Sequence, residues 1–185
     1  MGVSLAFTCG ICVLAGGLSR RLGRDKARLR LGQRTMLGQI RVAARELGLP
    51  VRVIRRDLVR RCGPLGGVFT GLKTSPHQAE LFLACDMPFV SAALLKRLLG
   101  EIKARDRAVF TMAERLAGFP FLLRGQTLPL VERQVARKEF SLQKLARVLK
   151  ARLVRMDPDQ AGQLFNINTP AELETARRRL KARAR

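Results

Sequence analysis

Gly10-Ile11-Cys12-Val13-Leu14-Ala15-Gly16-Gly17-Leu18-Ser19-Arg20-Arg21-Leu22-Gly23-Arg24-Asp25-Lys26 is an apolar run that passes directly into a glycine-rich, basic loop. A continuous apolar run from Gly10 to Leu14 is what a parallel strand buried on both faces requires. Open α/β sheets bind their ligands at the carboxyl ends of such strands. Gly16 and Gly17 let the main chain come close to a triphosphate and aim N–H groups at its oxygens, where side chains would obstruct. Lys26, with one or more of Arg20, Arg21 and Arg24, supplies compensating positive charge. The spacing fits neither the P-loop nor the G-x-G-x-x-G fingerprint, which disfavours ordinary ATPase and dinucleotide readings.

Outward from this stretch, short apolar runs alternate with helical periodicity, the pattern of an α/β layer fold. Met36, Leu37, Ile40, Ala44 and Leu47 recur at helical spacing, and Gly48 with Pro50 stops that helix. Val51–Ile54, Leu81–Ala84, Ala108–Met112, Phe119–Leu123 and Arg152–Met156 read as strands. Pro64–Leu72, punctuated by glycine, reads as a loop entering a short helix. A helix capped by Ser91 buries Leu94, Leu95, Leu98, Leu99 and Ile102, and Leu128–Val135 and Leu142–Leu149 are further helices. Thr169, Pro170 and Glu172 supply an N-cap, a first-turn proline and the acid of a capping box for the last helix. The expected architecture is a three-layer α/β sandwich with a mostly parallel, Rossmann-like sheet. It forms one domain over residues 1–185, with a basic C-terminal helix and tail from about 170.

Lys plus Arg number 36 and Asp plus Glu 14, so the formal charge is 36 − 14 = +22. Such a field attracts anions of every kind without choosing among them. Most of these cations read as solvated helix-face residues, and the Arg177, Arg178, Arg179, Lys181, Arg183 and Arg185 cluster reads first as charged surface. The absence of Trp and Tyr to interleave with the basic residues weakens a base-stacking reading of the charge, so a nucleic-acid partner is disfavoured. Cys9 and Cys12 form a C-x-x-C inside an apolar strand with no second ligand pair, so buried thiols are expected, not a zinc or redox site. No stretch has the length and polarity of a membrane span, and the apolar start of the chain lacks a basic flank and reads as strand, not signal peptide. A reduced, cytoplasmic setting is the default expectation.

Leu14-Ala15-Gly16-Gly17-Leu18-Ser19-Arg20-Arg21-Leu22-Gly23-Arg24-Asp25-Lys26 resembles the L-A-G-G-x-S-x-R-M-G-x-D-K signature of the molybdenum cofactor guanylyltransferase family, with Leu22 in place of Met. Gly63-Pro64-Leu65-Gly66-Gly67 is similar to that family's G-P-L-A-G, Cys85-Asp86-Met87-Pro88 to its C-D-x-P, and Asn166-Ile167-Asn168-Thr169-Pro170 to its N-x-N-T-P. The four motifs stand in family order from Leu14 to Pro170. The resemblance implies a nucleotide-diphospho-sugar-transferase-like fold and a reaction in which a terminal phosphate of molybdopterin attacks the α-phosphorus of GTP and releases pyrophosphate.

It further implies that Leu14, Ala15, Gly16, Gly17, Arg21 and Lys26 hold the nucleotide, that Asp86 binds Mg²⁺, and that Lys26 and Asp86 are the catalytic pair. Asn166 and Asn168 fall on the acceptor side. A lone carboxylate at a strand end, opposite a phosphate loop, is how proteins commonly hold Mg²⁺ while substrate phosphates complete its shell. The single His77 is given no catalytic role. GTP and molybdopterin are the expected substrates, with a molybdoenzyme or another cofactor-synthesis protein as a possible further partner. In two respects the chain departs from the pattern. Between Leu47 and Gly63 it lacks room for one βα step. The family's nucleoside-contacting Asp falls on Arg56, so either the neighbouring Asp57 takes that contact or the contact is lost. Related cytidylyltransferases show L-A-A-G, so the L-A-G-G form leans toward guanine. Two alternatives remain open at this level: a related transferase using CTP or another phosphorylated acceptor, and a non-catalytic nucleic-acid binder.

Overall fold

The computed structural model of the chain describes residues 6–16 and 26–183. Strand β1 (Cys9–Leu14) leads through a 3₁₀ turn at Lys26–Arg28 into a small hairpin of β2 (Arg30–Leu31) and β3 (Arg34–Thr35). There follow α1 (Met36–Arg45), β4 (Val51–Ile54), α2 (Pro64–Lys73), β5 (Ala79–Ala84) and α3 (Ala92–Gly100). The second half contains β6 (Ala108–Ala113), β7 (Leu116–Arg124), α4 (Leu128–Ala136), α5 (Leu142–Val148), β8 (Arg152–Arg155), α6 (Pro158–Ala161) and α7 (Pro170–Arg183). The main sheet has the order β4-β1-β5-β7-β6-β8. Five strands run one way and β7 runs against both of its neighbours. The sheet is therefore mostly parallel, as the buried apolar runs require.

Strand alternation sorts the core into two layers. Ile11, Val13, Leu81 and Leu83 face α1 and α3, where Leu37, Ile40, Ala44, Leu94, Leu95 and Leu98 meet them. Cys12, Phe82, Phe110 and Phe121 face α2, α4 and α5 through Leu65, Val68, Val131 and Leu145. The Phe110 and Phe121 rings stack at 4.4 Å, and Phe82 stacks on Phe121 at 5.3 Å. Truncating any of the three to Ala should cost about 3–5 kcal/mol. Cys9 and Cys12 fall in opposite layers and share no site; burial, reinforced by the charge of Glu80, pushes the Cys9 thiol up to about 12.

Helix ends follow local chemistry. Thr35 Oγ1 accepts from Gly38 N at 3.0 Å, and Ser91 Oγ accepts from Leu94 N at 3.2 Å. Besides the four-residue α6, which no sequence pattern announces, two elements differ from the sequence expectation. Pro64–Lys73 is a full ten-residue helix, not a loop with a short helical end, and every residue from Leu65 to Leu72 is buried. Its glycines lower intrinsic helicity but allow close contact with the sheet: a Cβ at Gly71 would stand 2.7 Å from Phe82 Cε1 and 3.1 Å from Cys12 Sγ. The β2–β3 hairpin is the second. Its two-residue strands carry no readable alternation, and its turn is made by Gly32 at φ 65°.

At the amino end of the sheet, Glu80 is fully buried and paired with Arg52 at 2.9 Å, with Ser75 Oγ and Cys12 Sγ completing its partners. His77 packs over Gly10 there, at the end of β1 away from the glycine loop. No helix among the described residues is long and apolar enough to cross a membrane.

Candidate active site

The carboxyl ends of β1, β4 and β5 are stitched together by main-chain bonds from Ala15 N to Ile54 O at 2.9 Å and from Cys85 N to Leu14 O at 3.1 Å. The chain segments leaving these strands therefore diverge from one edge. Gly16 meets the segment after β4, where a Cβ would stand 3.0 Å from the Arg55 carbonyl oxygen, so the glycine is required by close approach. From β5 the chain turns at Asp86, whose carbonyl accepts the Ile167 N–H at 2.9 Å. Ile167 is fully buried with Leu31, Met36, Phe89, Leu173 and Ala176, a third apolar cluster that seats α7 and the small hairpin. Burying Ile167 leaves the flanking Asn166 and Asn168 toward the open side.

A capping box fixes the second asparagine. Glu172 Oε2 accepts from Asn168 N at 2.7 Å and Thr169 N at 2.8 Å, while Glu172 N donates to Thr169 Oγ1. The Asn168 N–H is the main reason that the Glu172 carboxyl is held below its ordinary range. Lys26 Nζ then bridges two distant elements, donating to Asn168 Oδ1 at 2.6 Å and to Asp86 Oδ2 at 3.3 Å. The ammonium and carboxylate are about one-fifth exposed, at 18% and 23%.

Asp57 sits between Gly16 and the first turn of α2. A Cβ at Gly66 would stand 2.9 Å from its Oδ2, and one at Gly67 would stand 3.4 Å from its Oδ1. Desolvation by burial pushes its pKa above the ordinary carboxylate value. Gly63 caps α2 at φ 55°, a conformation that favours glycine.

Two clefts open along this edge. The smaller, about 580 Å³, is lined by Leu14, Ala15, Gly16, Lys26, Asp57 and Asp86. The larger, about 700 Å³, lies over the ends of β6 and β8 and includes Asn168. Asn166 lines both. The structure thus brings together seven of the residues singled out in the sequence, Leu14, Ala15, Gly16, Lys26, Asp57, Asp86 and Asn166, with Asn168 bonded to Lys26. Gly17 and Arg21, with Arg20 and Arg24, lie outside the described residues. Arg61 and Phe119 also line the smaller cleft and were not anticipated; the positive φ of Arg61, 60°, is a feature no sequence pattern reveals.

Among the described residues no group of three or more His, Cys, Asp or Glu side chains could form a closed metal cage. A partly exposed carboxylate such as Asp86, on a cleft with room for substrate phosphates, suits Mg²⁺, which retains waters and substrate phosphates among its ligands.

Residues 11–156 match the family described as MobA-like NTP transferase domain. The chain is 32% identical to the probable molybdenum cofactor guanylyltransferase of Opitutus terrae, with 90% of this chain and 94% of that protein covered. Its fold is similar to the crystal structure of molybdopterin-guanine dinucleotide biosynthesis protein A from Archaeoglobus fulgidus: TM-score 0.71, 20% identity, 94% of this chain and 99% of that one. It is similar to nearly the same degree to 2-C-methyl-D-erythritol 4-phosphate cytidylyltransferase from Thermus thermophilus: TM-score 0.69, 20% identity, 98% of this chain and 100% of that one. The architecture alone therefore does not choose the base.

Proposed function

The chain belongs to the MobA-like NTP transferase family, and from that premise we propose that it transfers GMP from GTP to the terminal phosphate of molybdopterin, forming the guanine dinucleotide cofactor and releasing pyrophosphate. The observation that carries this reading is the meeting of two clefts at Asn166, with the Lys26, Asp86 and Asn168 cluster beside the junction. One cleft has room for a nucleotide and the other for a phosphorylated acceptor, so the reacting phosphates would meet at a fixed cation.

In this reading the main chain of Leu14–Gly16 cradles the triphosphate, with Gly17 and Arg21 continuing the contact, and Asp57 accepts hydrogen bonds from the nucleoside. An acceptor phosphate oxygen attacks the α-phosphorus. The new P–O bond forms as the bond to the β-phosphate oxygen breaks, and that electron pair leaves with pyrophosphate. A phosphate dianion needs no general base, which accords with His77 lying at the far end of the sheet. Lys26, oriented by Asp86 and Asn168, stabilises charge in the transition state, and Asn166 and Asn168 orient the acceptor. Asp86 would hold Mg²⁺, which when bound would neutralise charge on the α-phosphate and the departing pyrophosphate. The family's preference for guanine, the expected cytoplasmic setting and a molybdoenzyme or cofactor-synthesis partner belong to the same proposal, as does the reading of the chain as one domain.

Incubating the protein with GTP, Mg²⁺ and molybdopterin should release pyrophosphate, and Asp86→Ala should abolish the release. Undiminished turnover in that variant would remove the mechanism. Competition among GTP, CTP and ATP tests the base, and a clear preference for CTP would overturn guanine.

A further inference from the structure

The larger cleft has a charge pattern that the transfer chemistry leaves unused. Arg115 enters it from the turn between β6 and β7, Arg155 from the end of β8, and Arg179 from α7. None of the three forms an ion pair among the described residues. Nearby arginines outside the cleft do: Arg152 with Asp106, Arg97 with Asp157, and Arg177 with Glu174. Two carboxylates line the same cleft. Glu172 is committed to the main-chain N–H groups of Asn168 and Thr169, and Glu114 forms no ion pair among the described residues. A basic chain has many unpaired cations, so lack of a partner alone distinguishes little. Convergence of three guanidinium groups from three elements on one concave surface is the distinguishing feature.

Two details bear on how Arg115 and Arg179 are placed. Glu114 and Arg115 form the whole two-residue turn and both have positive φ, 49° and 67°. Such a turn ordinarily takes Asn and Gly, and two side chains there oppose their own conformational preference. The turn delivers Arg115 to the cleft at that cost. Arg179 is parked over the face of Phe165, its guanidinium carbon 4.3 Å from the ring centroid, and Phe165 leans in turn on Phe89. A stacked guanidinium keeps its edge N–H donors free for an oxyanion.

We infer that the larger cleft grips the acceptor by a second anionic group, remote from the phosphate that receives the nucleotide, and that Arg115, Arg155 and Arg179 are the specificity-determining residues that bind it. This rests on the reading of that cleft as the acceptor site. The arginines act on acceptor affinity and leave the nucleotide cleft unchanged, because only Asn166 is common to the two.

The test uses full-length protein carrying R155Q and R179Q together, the triple variant with R115Q, and R178Q as a control on a part of α7 outside the cleft. With GTP saturating and molybdopterin varied, the double variant should raise the acceptor KM about tenfold or more, with kcat within about twofold and GTP affinity unchanged. An unchanged acceptor KM, or GTP affinity falling in step with it, would overturn the inference. Independently, inorganic molybdate is titrated calorimetrically into nucleotide-free protein at about 0.15 M salt, where diffuse surface attraction is screened. Saturable binding by wild type and R178Q, lost in the triple variant, supports the site; equal binding by all, or none by wild type, overturns it. A wild-type protein that releases no pyrophosphate with molybdopterin counts against the transfer reaction alone, because the titration still decides the arginines.

Discussion

Lys26 Nζ donates to Asn168 Oδ1 at 2.6 Å, joining residues 142 positions apart in the chain. The same ammonium lies 3.3 Å from Asp86, so the asparagine and the carboxylate hold the cation between them. Asn168→Ala should lower kcat/KM for pyrophosphate release about tenfold to a hundredfold, the range for a lost hydrogen bond to a charged group. Thermal stability should fall less than activity, since the lost bond ends on a partly exposed ammonium and the Asn168 amide side chain takes no part in the capping box. Equal kcat/KM in wild type and variant would remove Asn168 from the site.

Asp57 couples binding to stability with opposite signs. Its raised pKa means that the folded chain holds this proton more tightly than the unfolded chain does. Stability associated with the protonated form is therefore present below the ordinary value of 3.8 and lost as pH rises through the raised one. At neutral pH, Asp57→Asn should leave the nucleotide-free protein as stable or slightly more so, by less than about 1 kcal/mol given its partial exposure. GTP binding should weaken about tenfold. Urea unfolding and calorimetry measure the two effects, and tighter GTP binding by the variant would exclude a nucleoside contact.

Glu172 titrates in the other direction. Its folded pKa lies below the ordinary 4.5, so its contribution is complete above that pH and disappears as pH falls through the folded value. Glu172→Ala should lower Tm by about 2–4 °C at neutral pH, the effect of roughly 1 kcal/mol in a chain of this size. The gap between variant and wild type should close on acidification. A gap that stays constant down to about pH 2 would assign the loss to packing instead of the carboxylate.

The helix that follows Gly63 offers a packing test with an internal control. Gly71→Ala would place a methyl group 2.7 Å from Phe82 Cε1, within the rigid aromatic stack, and should cost about 1–3 kcal/mol. Gly100→Ala, at the end of α3 with nothing within 4 Å, should be neutral or add about 0.4–1 kcal/mol. Urea midpoints compare the two, and similar values for both would show that α2 does not lie as close to the sheet as described.

These contrasts also explain what the sequence made legible. Val51–Ile54 and the Ser91 cap are where periodicity and local hydrogen bonding place them, because strand burial and capping act over a few residues. Pro64–Lys73 escaped because its glycines suppress the local signal while tertiary contact with Phe82 stabilises the helix. In the site, Lys26, Asp86 and Asn168 could be picked out separately by motif, but their convergence depends on Ile167 being buried and bonded to Asp86 O. Arg115, Arg155 and Arg179 carried no signal at all among so many cations, since what unites them is a shared concavity and not a spacing.

The bond between Ile167 and the Asp86 carbonyl makes α7 a brace for the acidic turn. A fragment cut ahead of that brace would keep Leu14–Gly16 and Asp57 but lose the support of the Asp86 turn. Under the proposed function the last helix would thus separate holding a nucleotide from using it, although none of its side chains lines the nucleotide cleft.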